Sequence, residues 1–224
     1  MEIFKITKRL DRDVIFIKKG YFWVRTLSVG LLLFFMLIGC TTIVPKSELE
    51  YSPIYSNPSL VKNKSMMIKV GKIQDIREVN KEEKDKAYIG KEVADTGWTA
   101  NKYFLEKNVD DFFREVLNKE LIKAGIQPVE SDKDEVSLFL DCKIKDFWVR
   151  AGYFTSTLKS TVVIEMKLSN QNGNELLLSE GKGEHSAFFR GGDVKKDMTE
   201  SLRKSFQEAL EDCLIKLYMF LATT

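Results

Sequence analysis

Histidine is nearly missing from this chain: His185 is the single one among 224 residues. A Ser-His-Asp or Cys-His arrangement would have to be built on it. Its acidic neighbour Glu184 is adjacent in sequence, so on a strand the two side chains point to opposite faces. The sequence therefore predicts no enzymatic activity. Cysteine is scarce as well. Cys40, Cys142 and Cys213 have no second Cys or His nearby, which excludes the usual zinc spacings. Arg190-Gly191-Gly192-Asp193 is a glycine turn before a helix, but it lacks the lysine and hydroxyl of a phosphate loop, and Asp193 would repel an anion. Glu180, Lys182 and Glu184 share a strand face, with the lysine keeping both acids ionised, and read as a solvated surface. No metal and no cofactor are expected. No internal repeat occurs.

A charge excess is lacking too. The chain has 35 basic and 33 acidic side chains, and residues 1–39 hold seven and three of them, which leaves 28 and 30. A net charge near −2 excludes a nucleic-acid partner of the usual basic kind.

What is present is an export signal. Lys18, Lys19 and Arg25 precede an apolar run from Leu27 to Gly39, and Leu37-Ile38-Gly39-Cys40 closes it. A membrane span needs about 20 apolar residues, and this run is shorter, interrupted upstream by Arg25. A signal core takes about 7–15. A cysteine directly after the small residue resembles a bacterial lipobox, which implies cleavage between Gly39 and Cys40 and acyl chains on the Cys40 thiol. The reading divides the chain into a signal peptide (1–39), a flexible tether (40–64) and one α+β domain (65–224). Pro45, Pro53 and Pro58 among Ser and Asn carry the tether, although Tyr51, Ile54 and Tyr55 would also let it lie along the domain surface.

Apolar periodicity predicts the rest. A strand runs over Met66–Ile73, with Gly71 marking a bulge. Residues 78–95 read as a charged mobile loop. A helix spans about Val109–Ala124, with Asn108 as N-cap, Gly125 as C′ and Pro128 as stop. Strands follow over 136–145, over 162–168, and from Leu176 toward Phe189. Asn172-Gly173 is the hairpin turn, and Gly181 and Gly183 mark a bulge or a close helix approach. The last helix starts near Met198, capped by Asp197 and Glu200. The order β-α-β-β-β-α predicts two helices on one face of a four-stranded, mostly antiparallel sheet.

Two groups are candidates for partner contact. Asp75 and Arg77 share a face at a strand end and either pin the next loop or meet a partner. Phe147, Trp148, Tyr153 and Phe154 surround Arg150 in a predicted connection. Loops carry binding residues, and Trp, Tyr and Arg dominate interface hot spots. A hydrophobic flap and a membrane-surface contact are the other readings. Cys142 and Cys213 are either a disulfide or two buried small hydrophobes.

The chain resembles the YajG-type lipoproteins of bacteria. The resemblance is carried by the lipobox at Cys40, the strand into Asp75-Ile76-Arg77, Val116-Leu117 to Gly125-Ile126, Val136-Ser137-Leu138, Asn172-Gly173, and Phe206-Gln207-Glu208-Ala209-Leu210. It covers about residues 65–220 and implies a small α+β lipoprotein without an established activity. The expected role is a lipid-anchored, non-catalytic binding or assembly module of the cell envelope. It would hold the membrane through acyl chains on Cys40 and bind an envelope protein partner. An accessory lipoprotein of a lipid or envelope transport complex is the alternative. Thr41 stands where inner-membrane retention in enteric-like bacteria is associated with aspartate, so the expected location is the outer membrane.

Overall fold

Period-two runs build a sheet, and two amphipathic helices cover one of its faces. The computed structural model describes residues 40–50, 66–78, 85–94, 97–129, 136–152, 155–188 and 193–223. In chain order the elements are β1 (Cys40–Val44), α1 (Lys46–Leu49), β2 (Met66–Asp75), β3 (Tyr88–Val93), β4 (Thr99–Leu105), α2 (Val109–Lys123), β5 (Ile126–Val129), β6 (Leu138–Gly152), β7 (Thr157–Asn170), β8 (Glu175–Phe188) and α3 (Val194–Thr223).

The strands form one mixed sheet with β6 as its spine. β7 runs antiparallel along the whole of β6, and β8 pairs with β7 beyond it. On its other side β6 changes neighbour. Its first half pairs parallel with β2, and its second half pairs parallel with β3. β5 flanks β2, while β4 and then β1 flank β3.

This overturns the four-stranded, mostly antiparallel sheet with two helices. Among the described residues the sheet has 8 strands, its β2, β3 and β5 pairings include parallel ones, and a third helix, α1, is present. The unforeseen strands β1, β3, β4 and β5 are short, and β3 does not alternate, because Tyr88, Ile89 and Gly90 are all buried. Its residues had been read as mobile loop. Pro128, expected to stop a helix, lies in β5, which pairs with β2 alone. An edge strand tolerates a residue without an N–H. The expected tether is folded in its first part. Val44 of β1 and Leu49 of α1 are in the core, while residues 51–64 lie outside the described ones.

β6 also bulges. Its register on β7 shifts between Ile144 and Asp146. Leu140, Cys142 and Ile144 face the core before the shift, and Phe147, Val149 and Ala151 after it. One extra residue inverts the alternation. The stretch from Phe147 to Gly152 is therefore strand, not the connection expected. A second shift lies between Val70 and Ile73, where Gly71 had predicted one. Asp141 accepts from the Lys72 N–H there at 2.7 Å, and Arg114 donates to the Gly71 carbonyl at 3.0 Å.

The two long helices meet over one face of the sheet. The Phe206 ring of α3 lies 5.4 Å from Phe112 of α2 and 5.6 Å from Phe147 of β6. Each such ring contributes roughly 1.5–3 kcal/mol by burial. α3 approaches β8 closely at Gly181 and Gly183, where an added Cβ would fall 1.9 Å from the carbonyls of Ala209 and Ser205. The helix begins at Val194, earlier than expected, and Asp193 rather than Asp197 caps it, accepting from the Lys196 N–H at 3.1 Å. Asn108 does hold the N-cap position of α2, but its side chain makes no capping bond. Among the described residues no helix is long and apolar enough to cross a membrane.

Candidate functional site

The switch of neighbour along β6 leaves a gap that Arg77 fills. β2 stays paired with β6 as far as Asp75, opposite Ile144, and β3 takes over from Gly90, opposite Val149. The carbonyl of Phe147 falls between. Arg77 donates to it at 2.9 Å, to the Tyr88 carbonyl at 2.8 Å and to the Lys86 carbonyl at 2.9 Å. Its remaining N–H groups reach both oxygens of Asp75, at 2.8 and 2.7 Å. Both side chains are fully buried. The guanidinium thus splices two strands onto a third, and Asp75 neutralises it. The arrangement is that of a structural pin, with neither side chain exposed.

His185 does meet a serine. Its Nδ1 lies 2.9 Å from Ser201 Oγ of α3, and that hydroxyl lies 2.8 Å from Ser160 Oγ of β7. Ser205 Oγ is also 2.8 Å from Ser160 Oγ. The three serines are 2 %, 2 % and 0 % exposed, sealed where α3 crosses Gly183. A nucleophile so placed cannot reach a substrate. The cluster does something else: it satisfies polar groups at the closest approach of helix to sheet, as buried hydroxyls must be. Among the described residues no three of His, Cys, Asp or Glu converge as a metal site.

Cys142 and Cys213 are free and buried. Burial pushes the Cys213 thiol up to about 11 and the Cys142 thiol higher, so both stay protonated and unreactive. Cys213 points its sulfur at the Ile164 carbonyl, 3.6 Å away.

Of the aromatic group, Phe147 belongs to the core. Trp148 is half-buried on the opposite, uncovered face, hydrogen-bonded to Asp146, whose carboxyl is pushed up by burial. Arg150 is exposed on that same face. Tyr153, Phe154 and Gly39 lie outside the described residues. Arg150 borders a cavity of about 340 Å³ at the end of β3, β6 and β7, lined also by Val93, Gly152, Thr155, Thr157 and Lys159. Sequence reading singled out Arg150 but missed Lys159 and the two threonines, because only strand register places them beside it. Cys40 is exposed at the first position of β1. Val44 is buried four residues on, and Thr42 hydrogen-bonds with Asn101 of β4 at 2.9 Å.

No protein-family model matches the chain, and no curated protein matches it. Solved structures do. A protein from Xanthomonas campestris of family DUF330 is 12% identical, covers 81% of this chain and 97% of its own, and superposes with a TM-score of 0.55. At that identity the likeness shows a shared fold and nothing more. A hypothetical protein from Chlamydia trachomatis is 7% identical over 72% of this chain and 100% of its own, with a TM-score of 0.44. A lipoprotein from Neisseria meningitidis is 10% identical over 61% of this chain and 93% of its own, with a TM-score of 0.35. The latter two likenesses are too loose to argue from. None of the three is named as a YajG-type protein, so that resemblance rests on the residues quoted for it.

Proposed function

We propose that this chain is a lipoprotein of the cell envelope, held on the outer membrane by acyl chains on Cys40, whose domain is a non-catalytic module for binding or assembly. The observation that carries the reading is the position of Cys40. The lipobox cysteine is the exposed first residue of β1, so cleavage before it leaves every described element whole. One acyl chain gives marginal attachment at about 0.8 kcal/mol per buried CH₂, and two or three give a stable one. The geometry adds a consequence. From Cys40 to the buried Val44 a strand spans only about 13 Å, so the domain stands against the bilayer rather than at the end of a leash.

Metabolic labelling with radioactive palmitate tests this. The wild type should incorporate label and fractionate with outer membrane, and Cys40→Ala should incorporate none. Equal labelling of the two, or recovery of an unmodified chain from cytosol, overturns the reading. Crosslinking in cells then identifies the envelope partner. Recovery of permease or ATPase subunits would move the assignment to an accessory lipoprotein of a transport complex.

A further inference from the structure

The face of the sheet turned away from α2 and α3 carries a row of cations in register. Lys102 of β4 stands opposite Lys91 of β3, Lys91 opposite Arg150 of β6, and Arg150 opposite Lys159 of β7. Lys102, Arg150 and Lys159 project from the uncovered face, because their sequence neighbours Tyr103, Val149, Ala151 and Leu158 are buried in the core, and register puts Lys91 on the same face as Arg150. Opposed residues on neighbouring strands have Cβ atoms about 4.5–5.5 Å apart, and like charges so placed repel. Among the described residues no carboxylate pairs with Lys91, Arg150 or Lys159. Among the described residues, the wall of the cavity beside them has two cationic side chains and two hydroxyls and no acid. Thr155 Oγ1 and Thr157 Oγ1 lie 2.7 Å apart. Thr155 Oγ1 also faces the Gly152 carbonyl at 3.4 Å, so when Thr155 donates to Thr157 it is Thr157 that keeps its hydrogen to give.

We propose that this cavity binds a phosphate group, carried by the free ion or by an anionic lipid headgroup, with Arg150 and Lys159 as charged ligands and Thr157 as a neutral donor positioned by Thr155. A guanidinium fork matches two oxygens of a phosphate, and an ammonium beside it supplies a second point charge. Lys91 extends the positive field along the sheet and raises the local concentration of anions. The volume is at the lower end of small-molecule sites, enough for a headgroup. A bound anion would also relieve repulsion that the folded chain otherwise bears. The proposal stands whether or not Cys40 is acylated.

The test is calorimetric titration of the full chain in neutral detergent. The probes are inorganic phosphate, dihexanoyl phosphatidylglycerol and dihexanoyl phosphatidylcholine. At least one anionic probe should bind, at least tenfold more tightly than phosphatidylcholine, and more weakly as salt rises. Tighter binding of inorganic phosphate assigns the free ion, and tighter binding of phosphatidylglycerol assigns the headgroup. The double variant Arg150→Gln with Lys159→Gln should lose at least tenfold in affinity. Lys167→Gln, on the same face but paired with Glu175, should lose none. Thermal melting separates binding from folding, because removing opposed cations should hold or raise the melting temperature. Any of three results overturns the site: no anionic probe preferred over phosphatidylcholine, undiminished binding by the double variant, or an equal loss in Lys167→Gln.

Discussion

The uncovered face of the sheet is built differently at its two ends. Toward the start of β6, the cations of β6 and β7 find acids: Lys143 and Lys145 share Glu165, Lys145 also reaches Glu180, and Lys167 meets Glu175. Past the bulge at Ile144, β6 and β7 present Arg150 and Lys159 to each other, with Lys91 of β3 on the other side of Arg150. Exposure and strand geometry are alike at both ends, so the paired end shows what a solvated sheet face settles into when only folding shapes it. Opposite charges across strands stabilise by roughly 0.2–1 kcal/mol, and like charges reverse the sign. Charge by itself therefore says little about function. Charge left uncompensated in register among the described residues, beside a cavity whose described wall holds no acid, says much more.

The largest effect should come from cutting the two ends apart. Arg77→Ala removes the splice between β2, β3 and β6 and leaves Asp75 buried without its cation. Breaking a buried pair this way costs about 3–5 kcal/mol, readable by denaturant unfolding. Amide exchange should show β3 and β4 losing protection well beyond β7 and β8. An even loss across the sheet would show that Arg77 is no splice. Charge reversal sharpens the contrast at smaller scale. Lys145→Glu puts a third acid between Glu165 and Glu180 and should cost about 1 kcal/mol. Arg150→Glu puts an acid between Lys91 and Lys159 and should gain about 0.5 kcal/mol, a rise of roughly 1–2 °C in melting temperature. Shifts of the same sign in both variants would erase the distinction between the ends.

The sequence made the antiparallel part of the molecule readable and hid the rest. β6 before its bulge, β7 and β8 alternate cleanly, with Val162, Ile164, Met166 and Leu168 turned to the core. Asn172-Gly173 announced their hairpin, in which Gly173 takes φ 78°, and the stripes of α2 and α3 were equally plain. The parallel partners β2, β3 and β5 owe their places to contacts distant in sequence. β3 is flanked by strands on both sides, and a six-residue run containing Lys91 and Glu92 has no legible period. The bulge in β6 did the most damage, since it turned a continuing strand into an apparent aromatic loop. Arg150 was recognised by residue type alone. The row it belongs to depends on register across four strands, which no local pattern encodes. Asp75 and Arg77 were legible as a pair, but their burial followed from the neighbour switch along β6, which spacing could not reveal.

The smallest effect separates the ends by pH. The Glu165 carboxyl is held below the usual carboxylate range by hydrogen bonds from Lys143 and then Lys145. A carboxyl depressed in the folded state stabilises above its unfolded value, about 4.3, and loses that contribution as pH falls through its folded value. For an exposed pair the sum stays within about 1 kcal/mol. Glu165→Gln should therefore melt below the wild type at pH 7 and converge on it as pH falls past the folded value. Among the described residues no carboxylate pairs with Arg150 or Lys159, so the double variant that replaces both with Gln should hold a constant offset from wild type over the same range. Once Glu165 is protonated, Lys143 loses its acid while Lys145 keeps Glu180, so the contrast between the two ends narrows. A Glu165→Gln difference that did not shrink in acid would mean the lysine–glutamate lattice contributes nothing, and the contrast between the ends would lose its energetic basis.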